Sequence, residues 1–211
     1  MRIVFLGDVN GRAGRHVLMT QLPRLIARRG IDFVAANVEN AADGFGITPD
    51  LSEELLACGI DCMTSGNHIW DKTEILDYLP GQPRLLRPLN YPDRAPGAGL
   101  YLGETPAGVA VAVINLMGRV FMPPCDNPFP VVDQALRRLE AKARVILVDM
   151  HAEATSEKTV LTGLPVRLTT AKRDPRMCGI ILEVDETSGH ALAIERIQVR
   201  PDGDASGADD A

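Results

Sequence analysis

The sequence predicts an α/β fold built on a mixed sheet or on two sheets packed together. Three observations lead there. Up to Leu79, short apolar runs alternate with amphipathic segments, the pattern of βαβ units around a parallel core. Further on, "GLYLGETPAGVAVAVINLMGRV" and "CGIILEVDETSGHALAIERIQV" each hold two apolar runs joined by a short turn, which adds antiparallel pairs. Finally, 211 residues with 45% hydrophobic content suffice for one sizeable core. A fully parallel doubly wound sheet has no natural place for the antiparallel pairs.

Each element follows from local chemistry. "RIVFLGDV" is a short apolar run ending in Gly-Asp and reads as a buried strand. "HVLMTQLPRLIARRG" spaces its apolar residues helically and stops on Gly30. "IDFVAANVEN" is a second buried strand. "TPDLSEELLACG" opens on a Thr cap with Pro at the first helical position and closes on Gly59. "IDCMTSGNHIWD" is a third strand running into a polar loop, and "KTEILDYL" a short helix. Leu79 to Gly99 is rich in Pro and Gly. After the two strands joined at "TPAG", "PPCDNPFP" reads as a loop, "VVDQALRRLEAKA" as an amphipathic helix and "RVILVDMHAE" as another buried strand. The terminal hairpin turns at "ETSG". Residues 1–200 are expected to form a single domain, and residues 201–211 a disordered acidic tail.

Bulk properties narrow the function. The net charge is -6, which gives no reason to expect a surface for double-stranded DNA, though it leaves room for a small phosphate ester held by metal ions. No secretory leader is legible, because Asp8 interrupts the first apolar run, and no window approaches a membrane span. A cytoplasmic location with reduced cysteines is expected. Cys58 and Cys62 form a CxxxC pair without a partner pair, a weak zinc signal, and Cys125 and Cys178 stand alone. The sequence leaves open whether the chain forms a homo-oligomer.

The polar residues at the strand ends carry the chemistry. The first strand ends in Asp8, the second in Glu39-Asn40, the third in Asn67-His68 and a later one in Asp149-Met150-His151. The first three ends lie about 30 residues apart, one βαβ unit each. Right-handed units bring the C-terminal ends of parallel strands to one sheet edge, so Asp8, Glu39, Asn67 and His151 should converge. Taken singly, each has a plain structural explanation: a turn former, a cap, a satisfied buried histidine. Four such ends in topological order do not. Carboxylate, amide oxygen and imidazole suit a borderline divalent ion such as Mn, Fe or Zn. A bridging Glu39 would allow two ions about 4 Å apart. His16 and His190 read as surface or packing residues, and Trp70 and Phe129 as core or pocket wall.

Together, "FLGDVNGRAGR", "VENAADGFGIT", "SGNHIWDKTEI", "RPLNYPDRAPGAG", "VINLMGRVFMPPCDNPF" and "VDMHAEATSEK" resemble the YmdB-type bacterial metallophosphoesterases of the calcineurin-like superfamily. The resemblance runs from Met1 to about Lys158 and resumes at "LTGLPVRL" through the terminal hairpin. It implies a sandwich of two mixed sheets flanked by helices. It also implies a dinuclear centre of iron or manganese and a phosphodiesterase acting on cyclic nucleotides, the 2',3'-cyclic form first and the 3',5'-cyclic form second, through a metal-activated hydroxide. Carried over by position, Asp8 binds the first ion, Glu39 bridges with Asn40 beside it, and Asn67 and His151 bind the second. His68 is then a proton donor to the leaving alkoxide rather than a ligand, a role suited to imidazole.

The chain departs from the family in one place. Family members carry, after the HAEATSEK motif, a segment with a Gly-Thr-His-Thr-His element whose histidines complete both metal sites. Here "HAEATSEKTV" runs straight into "LTGLPVRL", and no His-x-His occurs anywhere. This places an internal deletion near 158–162, leaves the fold incomplete and puts metal occupancy in doubt, with Asp174 as the one replacement ligand nearby. The alternative to an active phosphodiesterase is a catalytically weak or inactive relative that binds a nucleotide or a partner protein.

Overall fold

The computed structural model describes residues 1–154, 156–157 and 176–202. The predicted seam near 158–162, Asp174 and residues 203–211 of the predicted tail lie outside the described residues.

Among the described residues, eight strands and four α-helices follow in the order β1 (Arg2–Leu6), α1 (Gly11–Arg29), β2 (Phe33–Asn37), α2 (Pro49–Ala57), β3 (Cys62–Thr64), α3 (Ile75–Tyr78), β4 (Leu100–Glu104), β5 (Ala110–Met117), α4 (Pro128–Leu139), β6 (Val145–His151), β7 (Met177–Val184) and β8 (Ala191–Val199). They form two mixed sheets. The five-stranded sheet has the order β3-β2-β1-β7-β8, with β1, β2 and β3 parallel and β7 antiparallel to both β1 and β8. The three-stranded sheet has the order β4-β5-β6, with β4 antiparallel and β6 parallel to β5. Of the two sheet arrangements the sequence left open, the packed pair is the one found.

The strand sequences explain the layering. Side chains alternate between faces, and both faces here are apolar. Ile3, Phe33 and Ala35 point between the sheets, where they meet Val111, Val113 and Val145. Their neighbours Val4, Val34 and Ala36 point outward, into a core closed by Val17, Leu18, Leu22 and Leu55 of α1 and α2. On the far side, Ala112, Ile114 and Leu116 pack against Val132, Ala135 and Leu139 of α4. The order of layers is therefore helix, sheet, sheet, helix.

Capping sets the helix ends. Gly30 takes a left-handed conformation (φ 58°), donates its N–H to Ile26 O and closes α1 just after Arg28 and Arg29, which suit the helix C-terminus. Thr48 accepts from Leu51 N–H to start α2, with Pro49 at its first position. Three sequence expectations need correction. Helix α1 begins at Gly11, ahead of the apolar pattern, because Gly11 supplies the positive φ (55°) that turns the chain into it. Helix α4 begins at Pro128, inside the segment read as a loop, because Asn127 caps it by accepting from Phe129 N–H. The polar stretch after β3 forms a 3₁₀ turn over Asn67–Trp70. His16 and His190 are exposed, as expected.

Candidate active site

The C-terminal ends of β1, β2 and β3 point the same way because the three strands are parallel. The end of β6, from the other sheet, meets them there. Between them lies a cleft of about 640 Å³ lined by Asp8, Glu39, Asn40, Asn67, His68 and His151, all six predicted site residues. The expected convergence therefore holds in position, although His151 arrives from the second sheet rather than from the first.

Glu39 is the hub. It is buried (1% exposed), and its Oε1 lies 2.7 Å from His151 Nδ1. Its Oε2 accepts from the backbone N–H of His68 (3.3 Å), and its own N–H donates to Asn37 Oδ1 (3.3 Å). The other ring nitrogen of His151, Nε2, sits 3.0 Å from Asn67 Oδ1. At the cleft mouth Asn40 Nδ2 donates to Asp8 Oδ1 (2.8 Å). Lost hydration raises the pKa of Asp8, and repulsion from Glu39 adds to this against the opposing bond from Asn40. His68 turns its Nδ1 toward Asp71 Oδ2 (2.7 Å). That contact directs Nε2 away from Asp71.

Asp149, named at its strand end but given no role there, and three neighbours that a reading of strand ends misses complete this set. Asp149 accepts from Thr64 Oγ1 (2.5 Å) and from the Asn37 amide, and lies on the cleft floor with its pKa raised by burial. It stands two residues before His151 on the same strand, so the period-two rule places it on the same face. Asn37 is the last residue of β2, and its Oδ1 accepts from the backbone N–H of Glu39 just beyond the strand (3.3 Å). Thr64 carries no sequence signal of its own. Gly66 does: it belongs to "SGNH", and a Cβ there would fall 2.5 Å from Glu39 Oε2 and 2.5 Å from the His151 ring. Only a residue without a side chain lets these two groups meet.

Among the described residues, the lining of the cleft carries the carboxylates of Asp8, Glu39, Asp149 and Glu153, and neither Lys nor Arg. A phosphodiester anion is repelled by such a surface unless cations neutralise it. Carboxylates, amide oxygens and one imidazole are the donor set that a borderline divalent ion takes. The residues fit that group in chemistry. Among the described residues, however, no three His, Cys, Asp and Glu side chains gather as a ready metal shell, so the carboxamides of Asn40 and Asn67 are needed to fill it.

Two mixed sheets face to face between helices, with a polar cleft where the parallel strands end, make this a calcineurin-like α/β sandwich. The chain belongs to the YmdB-like protein family, whose model matches residues 4–163. It is 32% identical to the 2',3'-cyclic-nucleotide 2'-phosphodiesterase of Bacillus subtilis (strain 168), over 96% of this chain and 98% of that protein. The alignment runs over 260 positions, 49 more than the 211 residues present here, so at least 49 positions of the relative face no residue of this chain. Among solved structures, a hypothetical protein from Thermus thermophilus matches with a TM-score of 0.80 at 29% identity, over 95% of this chain and 99% of its own. A phosphatase from Mycoplasma pneumoniae matches with the same TM-score at 23% identity, over 95% and 93%.

Proposed function

We propose that the protein is a metal-dependent phosphodiesterase that opens cyclic nucleotides, the 2',3'-cyclic form first and the 3',5'-cyclic form second. The observation that carries this reading is the cleft itself: four carboxylates, two imidazoles and, among the described residues, neither Lys nor Arg, a surface that takes a phosphate only together with cations. The name of the Bacillus relative supports the substrate class.

Asp8, Glu39, Asn40, Asn67 and His151 would hold two divalent ions, iron or manganese. When bound, the ions supply positive charge to the phosphate and make the attacking water a stronger nucleophile. The remaining chemistry belongs to the chain. Glu39 fixes the backbone of His68, and Asp71 fixes its ring, so Nε2 is the atom that passes a proton to the departing ribose oxygen. Asp149, held by Thr64 and Asn37, keeps the floor of the cleft polar and in register across the two sheets. No helix among the described residues is long and apolar enough to cross a membrane, and we take the cytoplasm as the site of action.

A second reading has its own observation. With no three-residue metal shell among the described side chains, and at least 49 positions fewer than its relative, the chain would bind a nucleotide or a partner protein with little or no turnover. One experiment separates the two. The protein is loaded with Mn or Fe, its metal content is measured, and 2',3'-cAMP is supplied with product analysis. About two ions per chain and release of adenosine monophosphate are expected. Metal-loaded protein that binds the nucleotide but leaves both cyclic isomers intact would establish the binding module instead.

A further inference from the structure

We propose that Phe45 is the platform on which the base of the substrate stacks, which makes the natural substrate a nucleoside phosphodiester rather than a base-free one. The inference rests on the phosphodiesterase reading above.

Between Asn40 and Ile47 the chain makes a tight turn. Asp43, Gly44 and Gly46 all have positive φ (59°, 97° and 76°), the left-handed backbone that a turn this tight requires. Gly44 N–H donates to Asn40 O (3.1 Å), Ala42 N–H to Gly46 O (2.8 Å) and Phe45 N–H to Ala42 O (3.3 Å). The Arg15 guanidinium binds Ala41 O, while Ala41 and Ile47 are fully buried anchors. On its other side the turn rests on the stretch that follows β3: a Cβ on Gly46 would come within 3.3 Å of both Asp71 Cβ and His68 O. What this rigid turn presents is an aromatic ring. Phe45 is 58% exposed, and its ring lies 5.1 Å from that of His68, edge to face at 70°. The edge contact uses only part of the ring and leaves the rest open to solvent.

Chemistry fixes which side of the phosphate the nucleoside occupies. The group that protonates the leaving oxygen must stand within hydrogen-bond reach of it, about 2.6–3.2 Å. That oxygen belongs to the ribose, so the nucleoside lies on the side of His68. Phe45 is the open aromatic surface beside His68. Trp70, by contrast, packs against Tyr91 and the main core. A flat hydrocarbon ring without hydrogen-bonding groups accepts any base, so purines and pyrimidines are both taken, with purines favoured by their larger face.

The test compares wild type with Phe45→Ala, Phe45→Leu and Phe45→Trp, all loaded with Mn. Binding of adenosine 3'-monophosphate and of inorganic phosphate is measured by calorimetry, and hydrolysis of 2',3'-cAMP by KM and kcat. Alanine and leucine are expected to weaken the nucleotide and raise KM by about 10- to 100-fold, to move KM more than kcat, and to leave phosphate affinity within about 2-fold. Tryptophan is expected to restore nucleotide affinity. Equal nucleotide affinity in Phe45→Ala and wild type overturns the platform. So does a fall in kcat alone, which would mean that Phe45 merely props His68. Wild type that cleaves simple diesters but shows no preference for the nucleotide over phosphate overturns the platform and spares the phosphodiesterase reading. Wild type that holds metal yet cleaves nothing overturns both.

Discussion

Replacing Gly66 with alanine tests the geometry of the cleft most directly. The added Cβ would stand 2.5 Å from Glu39 Oε2 and 2.5 Å from Cγ and Cδ2 of His151, where ordinary contacts begin about 1 Å further out. Neither neighbour is a loose end. The Glu39 carboxylate is held by His151 Nδ1 and the His68 backbone, and His151 is held in turn by Asn67. Relief therefore displaces the group as a whole by about 1 Å, and misplacement on that scale costs on the order of 10²-fold in rate. Overpacking of this kind destabilises by about 1–3 kcal/mol, a Tm lower by roughly 2–12 °C in a chain of this size. The assays are Mn affinity by titration, kcat/KM on 2',3'-cAMP and thermal unfolding. Gly81→Ala is the control, since a Cβ there meets nothing within 4 Å. Wild-type Mn affinity and turnover in Gly66→Ala would show that Glu39 and His151 do not act as a unit.

Three further outcomes are expected. Asp71→Ala removes the acceptor that fixes the His68 ring, and kcat should fall about 10²-fold, the lower end of what a positioned acid contributes, with Mn affinity unchanged; an unchanged kcat would remove Asp71 from the mechanism. Burial pushes the Cys58 thiol up to about 11 and Cys62 further still. A raised pKa means less thiolate at pH 8; the Cys178 thiol is also raised but is exposed, so native protein treated with a thiol reagent should modify Cys178 first while Cys58 stays silent until the pH climbs toward 11, and labelling of Cys58 at pH 8 as fast as Cys178 would contradict this order. The Glu157 carboxylate accepts from the backbone N–H groups of Arg119 (2.8 Å) and Val120 (3.0 Å), so Glu157→Ala should speed amide exchange at those two positions about 10-fold or more; unchanged protection would mean that other contacts hold the loop.

Much of the site is legible in the sequence because it follows from topology. Asp8, Glu39, Asn40, Asn67 and His68 follow within a few residues of the ends of parallel strands, and parallel strands finish on one edge whatever the details of their packing. His151 obeys the same rule, yet it reaches the cleft only because β6 pairs with β5 in a separate sheet that lies over the first. Periodicity within single strands does not reveal how strands divide between sheets. The Asp149–Thr64 contact is hidden for that reason: its partners are 85 residues apart and belong to different sheets. Asp71 escapes notice because it meets His68 only across a 3₁₀ turn, which polar composition alone does not distinguish from a loop. The start of α4 is legible but easily misread, since Asn127 followed by Pro128 is a cap and first-turn pair, obscured by the prolines around it. Phe45 lies beyond reach, because nothing in composition separates an exposed phenylalanine held by a rigid turn from a buried one.

Strand β1 is made before β2 and β7 and lies at the centre of its sheet, between them. Its β2 side can be paired once Asn37 has left the ribosome, but its other side waits for Gly179–Glu183 of β7, about 170 residues after β1 itself. At the usual pace of about 5–20 residues per second, that is a delay of roughly 10–35 s during which an apolar central strand stands open. Such an edge invites pairing with the wrong partner. The nascent chain is therefore most exposed to aggregation, and most in need of a chaperone, when the greater part of its structure could already have formed. A truncation before β7 takes away β7 and the border strand β8 together and turns the central β1 into a permanent open edge.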